Sequence, residues 1–141
     1  MYRDYFIGYW EVKPEFKKEY ISLWSGWLGK ENLHKLDEVT ENEWGRFNTF
    51  IKLLTKAFIV KLVDCNLETV SQIPNIENLL SGYKESMDKD SSQFTKYIVP
   101  ELGCVISEEW DYTYIIWHNN NGALEALIPY IKEAGLYHFN E

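Results

Sequence analysis

Cysteine is scarce in this chain. Cys65 and Cys104 are the only two among 141 residues, too few for the disulfide framework of a small secreted domain and without the paired spacing of a zinc knuckle. Proline is rare too, at four residues, and neither an internal repeat nor a low-complexity tract marks a linker. No apolar run approaches the 18 or more residues of a membrane span, and residues 1–10 lack both a long apolar stretch and a small-residue cleavage site. Together these absences predict a single globular domain over residues 1–141 in a reducing, cytoplasmic setting. Apolar residues make up 45% of the chain, enough for one core, since a fold of this length hides roughly 68% of the surface its unfolded chain would expose.

Positive charge is the other shortage. With 22 acidic and 14 basic residues the formal net charge is −8, which opposes direct contact with nucleic acid phosphates or anionic lipid. Residues 1–70 carry 11 acidic and 10 basic side chains, whereas residues 71–141 carry 11 and only four. No Lys or Arg lies between Lys96 and Lys132, while Glu101, Glu108, Glu109, Asp111 and Glu125 all fall in that gap. Such a segment forms either a solvated acidic face or an electrostatic docking surface. What the chain has in quantity is rings. Seven Phe, ten Tyr and six Trp make 16% of it aromatic, and these side chains dominate cores and binding surfaces alike.

Periodicity divides the chain into elements. Residues 5–12, aromatic and β-branched with Gly8 inside, read as a strand with a bulge or close approach at the glycine. From Glu15, the spacing of Phe16, Tyr20, Leu23, Trp24, Trp27 and Leu28 predicts a helix ending at Gly29. Residues 30–39 read as a loop or short irregular helix, and Thr40-Glu41-Asn42-Glu43 has the capping-box pattern that opens a second helix through Trp44, Phe47, Ile51, Leu54 and Phe58, with residues 57–63 read as its continuation or, alternatively, as a strand. Residues 66–74 read as a connection. Residues 75–87 read as a third helix despite Gly82, residues 88–92 as a loop, and Ser91 or Ser92 as the cap of a short helix through Ile98. Residues 104–107 and 112–118 read as a hairpin, with Trp110, Tyr112, Tyr114, Ile116 and His118 on the core face and Glu109, Asp111, Thr113, Ile115 and Trp117 on the other. Residues 119–122 cap a helix from about Ala123 to Ala134 that contains Pro129 and stops at Gly135, before a short strand over residues 136–139.

No catalytic signature emerges. If the hairpin turns at Glu108 and Glu109, Cys104 faces Thr113 or Tyr114 and His118 lies about 13 Å away along the ladder, too far to act as a base on the thiol. No His-x-x-x-His or Glu-x-x-His spacing is expected to present two ligands on one helix face, so neither a metal nor a cofactor is expected. Residues 119–122 lack the spaced glycines of a phosphate loop and nearby cations, and read as ordinary capping. Among the paired carboxylates only Glu109 and Asp111 share a strand face, and solvation near a turn keeps both ionised, which does not suit general acid work.

The expected fold is therefore α+β: several helices packed on a small, mainly antiparallel sheet that includes the N-terminal strand and a C-terminal hairpin followed by a helix. The leading functional expectation is a non-enzymatic acidic binding protein, an inhibitor, immunity-type protein or nucleic-acid mimic, that docks on a basic protein partner. Its partner-binding residues would be Glu108, Glu109, Trp110, Asp111 and Trp117. The alternative is a small enzyme or ligand-binding domain with an aromatic-lined pocket near His118. A third expectation is a homo-oligomer subunit, marked by an exposed apolar patch.

Overall fold

The computed structural model describes residues 1–8 and 10–140. At the N-terminus a single helical turn, α1 (Tyr2–Tyr5), leads into a two-stranded ribbon of β1 (Phe6–Ile7) and β2 (Glu11–Val12). The single strand expected over residues 5–12 is thus a hairpin, because Gly8 and Trp10 adopt left-handed backbone with φ of 58° and 73° and reverse the chain. Tyr9, which that expectation included, lies outside the described residues. The ribbon is separate from the main sheet.

The main sheet has seven strands: β3 (Lys17–Ser22), β4 (Lys61–Asp64), β5 (Thr69–Gln72), β6 (Lys96–Val99), β7 (Cys104–Glu108), β8 (Thr113–His118) and β9 (Tyr137–Phe139). They lie in the order β5-β4-β6-β7-β8-β3-β9, each pair antiparallel. Two long helices accompany them, α2 (Glu41–Ala57) and α5 (Asn121–Glu133), with two short ones, α3 (Ile76–Leu79) and α4 (Tyr83–Met87). The fold is α+β, with the expected C-terminal hairpin, helix and final strand in place.

Several expectations give way to tertiary context. Residues 17–22 form a strand at the centre of the β8-β3-β9 region, not a helix. Tyr20, Ile21 and Ser22 are all buried, so both faces of this strand are covered and its apolar residues do not alternate cleanly. Ring spacing then mimics helical periodicity. Residues 30–38 form a 3-10 helix, and Thr40 and Glu43 make the reciprocal capping box at the start of α2. The second helix ends at Ala57, short of the continuation expected through Val63, where β4 begins at Lys61. Part of the expected connection at residues 66–74 is β5, the expected third helix breaks at Gly82 into α3 and α4, and the short helix expected through Ile98 is instead a 3-10 turn capped by Asp90 followed by β6.

The sheet packs differently on its two faces. On one, Ile21, Tyr97, Val99, Cys104, Ile106, Tyr114 and Ile116 meet Phe47, Phe50, Ile51 and Leu54 of α2 and Ala123, Leu127 and Ile131 of α5 in the main core. Each fully buried aliphatic side chain there contributes about 1.5–3 kcal/mol by leaving water. On the other face Ile98, Val105 and Val63 are covered by Tyr2, Tyr5, Phe6, Val12 and Phe16 of the N-terminal segment. That cover does not extend over the β8-β3-β9 half of the sheet, which is roofed instead by residues 23–36 and remains partly open.

Candidate functional site

The open half of the second face is a cleft of about 380 Å³. Its floor is Tyr20 and Ser22 of β3 with Thr113 and Ile115 of β8, residues that point away from the helices because they alternate with Ile21, Tyr114 and Ile116. Its wall is the segment after β3. Trp27 stands edge-on to Tyr20 and Phe139, with ring centroids 4.7 and 5.0 Å apart, and Tyr20 stacks on Phe139 at 5.6 Å. Trp27 is still 58% exposed. Leu33 and Leu36 of the 3-10 helix close the far side.

The remaining wall is the hairpin tip between β7 and β8. Glu109 N–H donates to the Thr113 carbonyl at 2.9 Å, and the Thr113 hydroxyl donates to the Asp111 carbonyl at 3.2 Å. The turn places Asp111 and Tyr112 in left-handed backbone, with φ of 58° and 55°, a conformation that costs a non-glycine residue about 1–2 kcal/mol. Those two residues break the strand alternation that would set Trp110 on the core face, and the ring is instead 57% exposed, resting edge-on against Phe94 at 4.7 Å. Glu109 is held by a relay: Trp117 Nε1 donates to Ser107 Oγ at 2.9 Å, and Ser107 Oγ donates to Glu109 Oε2 at 2.7 Å. Glu109 and Asp111 are the cleft's only charged lining residues; no Lys or Arg lines it among the described residues.

Of the five residues expected to bind a partner, three line this cleft, and Glu108 joins all three only in a neighbouring hollow that Lys89 also lines. Glu109, Trp110 and Asp111 line one cleft. Glu108 points to the helix-covered face, where Lys89 Nζ lies 3.0 Å from Oε1, the Thr95 N–H donates to the same oxygen at 2.9 Å, and the two side chains of the pair are only 14% and 12% exposed. It is a neutralised structural carboxylate. Trp117 is half-buried beneath Lys18, whose Nζ lies 5.0 Å from the ring centroid, and reaches the tip only through Ser107. The other acids of the cation-free segment also scatter, Glu101 accepting from the Ile59 N–H at 3.1 Å and Glu125 lying exposed on α5. Trp24 and Trp27, whose spacing resembles the buried stripe of a helix, and Leu33, in the segment that reads as a loop or short irregular helix, carry no local signal of a site.

His118 is not part of this cleft. It is buried on the helix side, with Nδ1 donating to the Asn120 carbonyl at 3.0 Å, and lines a separate hollow with Lys17, Glu19 and Asn121. The register corrects one expectation. Val105 pairs with Trp117, so the next rung sets Cys104 opposite His118, not four residues away. Distance therefore does not separate the pair. What disarms the thiol is burial, which pushes its pKa up to about 12 and keeps it protonated. Nearby, His138 Nδ1 lies 2.6 Å from Glu19 Oε2, and Asn140 donates to Oε1 at 3.0 Å, tying β9 to β3. A Glu-x-x-His spacing does occur, contrary to expectation, in Glu31 and His34 of the 3-10 helix, both exposed, but among the described residues no group of three or more His, Cys, Asp or Glu side chains is placed to hold a metal ion. Nor is any described helix long and apolar enough to cross a membrane.

The chain matches no family model, no curated protein and no solved structure. Function is therefore argued from the site itself.

Proposed function

We propose that this protein is a non-enzymatic binding module that docks on a basic protein partner, as an inhibitor, immunity-type protein or nucleic-acid mimic does. The observation that carries this is Trp110, 57% exposed on a strained turn between Glu109 and Asp111 and beside an aromatic cleft. A large ring left in water next to carboxylates that form no ion pair among the described residues is costly for stability and useful for recognition. Tryptophan anchors supply much of the energy of protein interfaces, and opposite charge speeds encounter and excludes wrong partners. The two free, buried cysteines suit a reducing cytoplasmic setting.

The test is retention of a basic protein from extract of the native cells on the immobilised chain. Retention is expected at low salt, is lost on washing at high salt as screening takes effect, and is abolished by Glu109→Lys together with Asp111→Lys. Glu125→Lys, on the opposite side of the sheet, leaves it intact. A basic protein held equally by wild type and the double variant, at either salt, overturns the proposal. Glu108 is left unchanged here, because substituting it would break the Lys89 pair and confuse loss of binding with loss of folding.

A further inference from the structure

We infer that the cleft between residues 23–36 and the hairpin tip is the receptor for a single arginine side chain of the partner. The inference rests on the docking function proposed above and goes further by naming the group that is recognised. Four rings, Tyr20, Trp24, Trp27 and Trp110, line the cleft with Leu33 and Leu36, and among the described residues its only charges are Glu109 and Asp111. An anion entering it meets two carboxylates. A neutral apolar ligand strips water from those carboxylates and offers them nothing, a desolvation cost without return. A cation with an apolar body satisfies both surfaces at once.

Among protein cations, the guanidinium fits this lining better than an ammonium. It is planar and weakly hydrated, stacks on aromatic faces, and forks to a carboxylate with two N–H donors. Glu109 is prepared for such a contact: Oε2 is fixed by the Ser107 hydroxyl, itself set by Trp117, and Oε1 has no hydrogen-bond partner among the described residues. Holding the acceptor in place beforehand removes part of the ordering cost of binding. The half-buried Trp117 is on this view a positioning residue acting through Ser107.

The probe is a capped Gly-Arg-Gly peptide titrated into the full chain, followed by the indole N–H signals of Trp24, Trp27 and Trp110. The expected result is saturable shifts of these signals. The counterpart with citrulline, which keeps the shape and removes the charge, binds weaker by about tenfold or more, the worth of a charge-assisted hydrogen bond. Glu109→Gln brings a loss of similar size, Trp117→Phe a smaller one, and Glu125→Gln none, with unchanged thermal unfolding as the control for folding. No shift with the arginine peptide, or equal shifts with the citrulline peptide, overturns the inference. Tighter binding of free arginine, whose own carboxylate would face the acidic rim, also overturns it by pointing to a small-molecule ligand instead of a partner side chain. If the peptide fails while the Glu109→Lys, Asp111→Lys variant still loses a retained basic protein, the docking function stands and only the arginine receptor falls. If both fail, both fall.

Discussion

The two faces of the seven-stranded sheet are built from the same strands and put to different uses. Toward the helices, Ile106, Ile116 and Ile21 are fully buried against α2 and α5, and even the charged Glu108 is enclosed with its lysine. Away from the helices the cover is divided. The N-terminal ribbon seals the β6-β7 half, while the β8-β3-β9 half carries exposed Trp27 and Trp110 around an acid-rimmed cleft. Adjacent residues of one short segment, Glu108 and Glu109, separate along this line. The alternation of a strand, not the chemistry of the side chain, decides which carboxylate stabilises and which stays available.

The contrast is testable at the level of stability. Leu54→Ala, at a fully buried position on the helix side, is expected to cost about 2–5 kcal/mol in urea denaturation. Trp27→Ala, which removes a larger but exposed ring, is expected to cost less than about 1 kcal/mol. Equal losses would mean that the cleft wall is core. Glu108→Gln leaves Lys89 without its counter-charge in a mostly buried site and is expected to cost about 1–3 kcal/mol. Glu109→Gln should stay within about 0.5 kcal/mol, so a large effect there would remove the distinction between the two neighbours.

Alkaline pH sharpens the same comparison from the helix side. Burial pushes the Cys104 thiol from 9.0 up to about 12 and raises the Tyr97 and Tyr114 hydroxyls as well. The unfolded chain then loses these protons at lower pH than the folded one. Stability is therefore full below about pH 9 and falls as pH rises toward 12. Melting temperatures across this window should decline for wild type and decline less steeply for Cys104→Ala. An unchanged slope in that variant would show that the thiol does not contribute.

Local signals in the chain foretold one part of this molecule well. Thr40 and Glu43 specified the start of α2, Asn120 the start of α5, and the β-branched run before His118 specified β8, because caps and alternation act over a few residues. Residues 17–28 were misread because a strand buried on both faces, followed by a ring-rich irregular segment, produces apolar spacing that a helix would also produce. The same ambiguity hid the cleft: Trp24 and Trp27 read as core, and Trp24 does pack partly against it, yet both also line the cleft. Glu109, Trp110 and Asp111 were legible as a group through the lack of Lys and Arg nearby in the chain, although Lys89 and Lys96 line neighbouring hollows in space. The withdrawal of Glu108 was not, because Lys89 reaches it from outside the hairpin through a contact that no local pattern records.

A chemical-shift footprint of the retained basic protein on the isotope-labelled chain tests the central claim most directly. Shifts confined to residues 22–36 and 109–115, on the partly open face, are the predicted result. A footprint on α2 and α5, or around His118 and Glu19, with the aromatic cleft unperturbed, would contradict it.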